Sequence, residues 1–192
     1  MRNELGLIHV YTGDGKGKTT ASLGLALRAI GHGYSVCVVQ FMKGGRFFGE
    51  LLAAEKYFPK KLVFAQFGQA TPYEREIAKG KMKPAKSLFL PFEDEAEQAE
   101  KALNYSEKTI KSGRYGLVIL DEITIAVNKG LISVEKVLEL MLSKPRNVEL
   151  VLTGRDAPLE LIDAADYANE INSIKHPFDR KKKTVGRRGI EY

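Results

Sequence analysis

The sequence is poor in the residues that build covalent or metal-bound frameworks. It has one cysteine, three histidines and no tryptophan among 192 residues. A lone cysteine excludes an internal disulfide. Cys37 lies in the strand-like run Val36-Cys37-Val38-Val39, which predicts a buried, inert thiol rather than a nucleophile. No His/Cys cluster has zinc spacing, and no Ser/His/Asp arrangement is readable. No apolar run reaches 18 residues, so no transmembrane helix is expected. Met1-Arg2-Asn3-Glu4 leads into a strand at once, which predicts no signal peptide and a cytoplasmic protein. Internal repeats are missing, and the one low-complexity stretch is Lys181-Lys182-Lys183.

What is present suits a single globular domain over residues 1–192: 44% hydrophobic and 28% charged residues, with enough chain to bury a core. The net charge is +6, but residues 175–192 carry seven lysines and arginines against Asp179 and Glu191. That tail therefore holds five of the six net charges, which argues against a broad nucleic-acid-binding face. A solvated terminus and an arm for an anionic ligand or nucleic acid are the alternatives for it.

The most informative stretch is Thr12-Gly13-Asp14-Gly15-Lys16-Gly17-Lys18-Thr19-Thr20. It stands between the apolar run Leu7–Tyr11 and the helix-like run Ala21–Arg28, the context of a phosphate-binding loop. Backbone N–H groups of such a turn converge on one concavity, and the helix N-terminus adds positive potential. Lys18 supplies a point charge for phosphates and Thr19 a hydroxyl for a magnesium ion. The pattern G-x-x-x-x-G-K-[ST] asks for glycine where this chain has Thr12. The loop thus indicates a nucleoside triphosphate more firmly than it indicates hydrolysis at the γ-phosphate.

Along the chain, strand, helix and strand over residues 7–41 form a βαβ unit, which implies a mostly parallel sheet flanked by helices. Further helices are expected over 49–55, 93–112, 134–142 and 158–165. Further strands are expected over 61–67, 117–122, 148–152 and 168–174. Residues 68–92 mix Gly, Pro, Lys and Tyr and read as a mobile segment with one short helix. Leu117-Val118-Ile119-Leu120 ends in Asp121 and Glu122, and a strand beside the phosphate loop can deliver a carboxylate to magnesium or its waters. If strand geometry persists, the two carboxylates face opposite ways and only one leans into the site. Arg155, after the buried strand ending at Thr153, offers its donor fork to triphosphate or ribose oxygens, with a surface ion pair as the alternative. Arg28 is a nucleotide contact or an exposed helix charge. His176 is a ligand contact or a structural histidine beside Pro177, and His9 reads as a core or edge residue. These residues admit a kinase or ATPase in which Glu122 orients water, and also a nucleotide-dependent binding module.

Taken together, the motifs resemble the ATP:corrinoid adenosyltransferases of the CobA/CobO/BtuR type. The matching parts are residues 12–20, 25–33, 38–44, 49–50, 118–122, 152–155, 175–179 and 189–192, in the family's order over nearly the whole chain. The resemblance implies a RecA-like phosphate-loop domain that moves the 5′-deoxyadenosyl group of ATP to the cobalt(I) of a corrinoid and releases triphosphate. It implies that Lys18 and Glu122 carry catalysis, that residues 12–20 with Arg28 and Arg155 bind ATP, and that Thr19, Asp121 and Glu122 serve magnesium, or manganese in its place. An electron donor such as a flavoprotein reductase and a homodimer are implied as well. Biosynthetic members carry Phe-x-Trp after the third strand. Here Phe67 and Tyr73 stand in that region, and with His176 they are the candidate corrinoid contacts.

Overall fold

In chain order the elements are β1 Ile8–Thr12, α1 Lys18–Gly31, β2 Val36–Phe41, α2 Gly49–Tyr57, β3 Leu62–Phe67, α3 Glu95–Lys111, β4 Leu117–Asp121, α4 Ile123–Asn128, α5 Val134–Leu142, β5 Glu149–Thr153, α6 Leu159–Asp163 and β6 Tyr167–Glu170. They come from a computed structural model that describes residues 5–45, 48–68, 94–177 and 187–190. The expectations for residues 69–92, Tyr73 among them, and for Lys181-Lys182-Lys183 lie outside the described residues.

The six strands form one sheet in the order β3-β2-β4-β5-β1-β6, and every neighbouring pair is parallel. Side chains alternate across each strand, so each apolar run supplies two cores at once. On one face Val10, Cys37, Val39, Phe41, Val118, Leu120, Leu150 and Leu152 pack with Ala99, Ala102, Leu103 and Ile110 of α3 and with Val137, Leu140 and Met141 of α5. On the other, Val36, Val38, Leu117, Ile119 and Val151 meet Ala26 of α1. Both faces of the sheet are covered, which is why these strands read as continuous apolar runs rather than alternating ones. Cys37 is fully buried, and burial, only partly offset by a hydrogen bond with Tyr105, pushes its thiol up to about 11. An inert thiol is what the sequence predicts.

Two features depart from the sequence reading. First, β4 is not beside β1: β5 runs between them, paired to both. The carboxylates of β4 therefore reach across the end of β5 to the start of α1, where Asp121 accepts the Thr19 hydroxyl directly. Second, α4 follows β4 directly. Its six residues, ITIAVN, include four β-branched ones and carry no helical propensity signal of their own. The helix starts because Glu122 turns left-handed at φ 66 and because the side chains of Thr124 and Asn128 hydrogen-bond to the Arg155 carbonyl at 2.8 and 2.9 Å. The last strand ends at Glu170 rather than 174, and all four of its residues are exposed at the sheet edge. Among the described residues no helix is long and apolar enough to cross a membrane.

Candidate functional site

The site begins with the turn between β1 and α1. Gly13 takes φ 98, and a β-carbon on it would lie 2.5 Å from the Ile171 carbonyl oxygen, so a side chain is excluded both by conformation and by space. The segment after β6 buttresses the loop from that side. The Gly15 N–H donates to the Ile171 carbonyl at 2.7 Å, the Ile171 N–H to the Thr12 carbonyl at 2.9 Å, and the Ser173 N–H to Asp14 Oδ1 at 2.9 Å. Lys18 is the first residue of α1. Its ammonium donates to the carbonyls of Gly13 and Gly15 at 2.6 and 2.8 Å, curling the loop around its own side chain. Burial lowers the Lys18 pKa from its ordinary value, although Glu122 opposes the shift.

A cleft of about 550 Å³ opens over this loop. Asp14, Gly15, Lys16, Gly17, Lys18, Thr19 and Thr20 form its floor, while Glu122 and Arg155 enter from the ends of β4 and β5. These are the carboxyl ends of parallel strands, where open α/β sheets bind ligands. Leu23, Met42, Phe48 and Ile190 add apolar wall, and His176 closes the cleft from the C-terminal segment.

The two carboxylates divide the work. Asp121 is completely buried and accepts four donors: the hydroxyls of Thr19 and Thr153 on Oδ1, both at 2.8 Å, and the Gln40 amide and Lys43 ammonium on Oδ2, at 3.2 and 2.8 Å. Burial would raise its pKa, but Lys43 and the hydroxyls outweigh that and hold it below the usual carboxylate value. A carboxylate offers about four lone-pair sites, so Asp121 is saturated. Glu122 is the opposite case. Strand geometry stops at Asp121, and the left-handed turn at Glu122 carries its side chain into the cleft, where Oε2 is buried with no hydrogen-bond partner among the described residues. Burial raises its pKa, although Lys43, Lys18 and Arg155 pull the other way. An orphaned carboxylate oxygen in a cleft that Thr19 also lines has the chemistry of a hard-cation ligand. Glu122 and Thr19 therefore fit a magnesium ion, while Asp121 orients Thr19 from behind.

Other expected residues divide as follows. Thr12 lies beneath the loop, its hydroxyl accepting from the Ala157 N–H at 3.0 Å, and neither it nor Gly13 borders the cleft. Arg28 is exposed in the last turn of α1, ten residues beyond Lys18, and does not line the cleft. A helix rises about 1.5 Å per residue, which separates the two by roughly 15 Å. Phe67 ends β3, packs on Tyr105 with ring centroids 5.5 Å apart and is not among the lining residues. Tyr73 is outside the described residues. His9, at the other end of the sheet, contacts Glu149 Oε1 at 2.7 Å and stacks on Tyr167. The sequence places Lys43 in a loop at the ligand-binding end of the second strand, but it does not single out Gln40 or Lys43 as site residues. Their signal was a polar residue and a lysine at the carboxyl end of a buried parallel strand, Val38-Val39-Gln40-Phe41-Met42-Lys43.

Comparison with known proteins agrees with this geometry. The family model described as ATP:corrinoid adenosyltransferase BtuR/CobO/CobP matches residues 4–192. Similar curated proteins include a corrinoid adenosyltransferase of Sinorhizobium, 36% identical over 99% of this chain and 82% of its own length. One from Pseudomonas aeruginosa is 33% identical over 100% and 86%. The corrinoid adenosyltransferase CobA of Salmonella typhimurium is 30% identical over 100% and 88%. Among solved structures, the RadB recombinase aligns with a TM-score of 0.51 at 17% identity over 90% of this chain and 77% of that one, a likeness of fold alone. The sheet order, the phosphate loop and the full-length family match agree: this chain belongs to the ATP:corrinoid adenosyltransferase family.

Proposed function

We propose that the protein transfers the 5′-deoxyadenosyl group of ATP to the cobalt(I) of a corrinoid and releases inorganic triphosphate. In the reaction a cobalt–carbon bond forms at the ribose C5′ and the C5′–oxygen bond breaks. Cobalt supplies the electron pair and is oxidised to cobalt(III), and the triphosphate leaves with the pair from the broken bond. Cobalt(I) is already a strong nucleophile, so the protein must align the reactants and stabilise charge on the leaving group rather than move protons. The observation that carries the reading is the cleft itself. It joins a phosphate loop, Lys18, Thr19 and Arg155 to a carboxylate, Glu122, whose buried Oε2 has no hydrogen-bond partner among the described residues.

Lys18 and the loop amides bind the triphosphate, with Arg155 contributing its fork of donors from β5. Thr19 and Glu122 hold magnesium, or manganese in its place, which neutralises phosphate charge when bound. Asp121 fixes the Thr19 hydroxyl at 2.8 Å. His176 and Ile190 place the C-terminal segment at the mouth of the cleft, where it can meet the corrinoid. Phe67 and Tyr73 remain the aromatic candidates for that partner. A cytoplasmic homodimer supplied with cobalt(I) by a flavoprotein reductase completes the proposal.

Anaerobic incubation with ATP, magnesium and chemically reduced cobalamin tests it. The expected product is a light-sensitive alkylcobalamin with its own visible spectrum. An unchanged cobalamin spectrum alongside ATP consumption contradicts the reading and favours a kinase or ATPase.

A further inference from the structure

The end of β2 is built with more care than the sheet requires. Met42, directly after the strand, sits at φ 58, a left-handed conformation that residues with a β-carbon disfavour and that tends to persist at ligand sites. The chain is clamped there by Gly68 at the end of β3. A β-carbon on Gly68 would lie 2.7 Å from the Lys43 backbone nitrogen and 2.7 Å from the Met42 carbonyl carbon. This turn brings Lys43 to the carboxyl edge of the sheet, where it borders the same cleft as Lys18 and Thr19.

The Lys43 ammonium donates to Asp121 Oδ2 at 2.8 Å, and among the described residues that is its one hydrogen bond. An ammonium has three donors, so two are left for a ligand. Asp121 has three further donors of its own in Thr19, Thr153 and Gln40. Hydrogen bonding to Asp121 thus accounts for only part of what Lys43 offers. The remaining donors of a side chain that is one-quarter exposed face a cleft built for phosphates.

We infer that Lys43 is a triphosphate-binding residue, a second ammonium beside Lys18 that is held in place by Asp121 and contacts oxygens of the leaving triphosphate. The inference rests on the adenosyl-transfer reading, in which the triphosphate departs whole and its released oxygen gains charge that a fixed cation stabilises.

Titration calorimetry with inorganic triphosphate in magnesium tests the inference. The comparison pairs wild type with Lys43→Met, and Asp121→Asn with the double variant Lys43→Met/Asp121→Asn. A residue that touches triphosphate directly costs about tenfold in affinity in both backgrounds. One that acts only by neutralising Asp121 loses its effect once the carboxylate is gone. The pair in the Asp121→Asn background also removes the buried charge that Lys43→Met leaves uncompensated, so the measurement survives if that single variant folds poorly. A loss of threefold or more in each background whose pair folds supports the inference, and a smaller loss in either overturns it. The adenosyl-transfer reading fails by a different result, the release of ADP rather than triphosphate by the wild-type protein.

Discussion

The Lys18 ammonium is hydrogen-bonded to two carbonyls of its own loop, at 2.6 and 2.8 Å, and a triphosphate must compete with those bonds. Its stem is buried at the base of the cleft, yet it belongs to neither hydrophobic core. Lys18→Ala is therefore expected to leave the fold intact while weakening magnesium-ATP by more than about 100-fold, or about 2.7 kcal/mol. Calorimetry beside a thermal melt checks both halves. Glu122 makes the complementary prediction. Glu122→Gln removes the charge from the orphaned oxygen but keeps its shape, so ATP affinity without metal should hold or rise while the gain in affinity on adding magnesium is lost. Titrations with and without magnesium measure that difference. At this scale much of the site was legible: Lys18, Thr19 and the Asp121-Glu122 pair follow from residue type and spacing. The division between the carboxylates was not, because it depends on the backbone leaving the strand at Glu122, which a run of six letters does not encode. The loop holding Lys43 is legible as one at the ligand-binding end of the sheet, but its contact with Asp121 is not, since that depends on the turn at Met42.

At the scale of elements, β1 is pinned at its entry by charge. Glu149, at the start of β5, accepts from the Gly6 and Leu7 N–H groups at 2.7 and 2.8 Å and meets His9 Nε2 at 2.7 Å. Burial would raise the Glu149 pKa, but His9 and the two amides outweigh it and hold it below its ordinary 4.5. A carboxyl group depressed in the folded state contributes stability above the unfolded value and loses it as pH falls through the folded one. Wild type is thus expected to lose more stability between about pH 5 and 3 than Glu149→Gln does. Urea melts of both proteins across that range check the sign. The other end of β1 depends on packing rather than charge. Gly13→Ala puts a β-carbon 2.5 Å from the Ile171 carbonyl at φ 98. It is expected to cost about 1–3 kcal/mol through backbone strain alone and to displace the loop from its buttress. Nucleotide affinity and the thermal midpoint should fall together. Most elements could be read from apolar runs and their spacing. The helix α4 could not, because side-chain bonds from Thr124 and Asn128 to a strand end 27 or more residues away create it.

The whole molecule gathers its chemistry at one sheet edge. The order β3-β2-β4-β5-β1-β6 places β5 between the loop strand and the carboxylate strand, and the Thr153 hydroxyl ties β5 to β4 by donating to Asp121 while accepting the Glu122 N–H at 3.0 Å. A sequence shows that a parallel sheet is coming, but not which strand is inserted between two others, since that choice is made by long-range pairing. Thr153→Val keeps the shape and removes the bridge, and leaves one lone pair of a buried carboxylate unfilled. It is expected to destabilise the fold by about 1–3 kcal/mol and to loosen the ends of β4 and β5 against each other. Denaturant unfolding measures the first effect. The fate of the three phosphorus atoms bears on the central claim most directly. Phosphorus NMR of ATP, magnesium and chemically reduced cobalamin with the wild-type protein should show intact triphosphate accumulating in step with ATP loss. ADP and orthophosphate growing in its place would contradict adenosyl transfer.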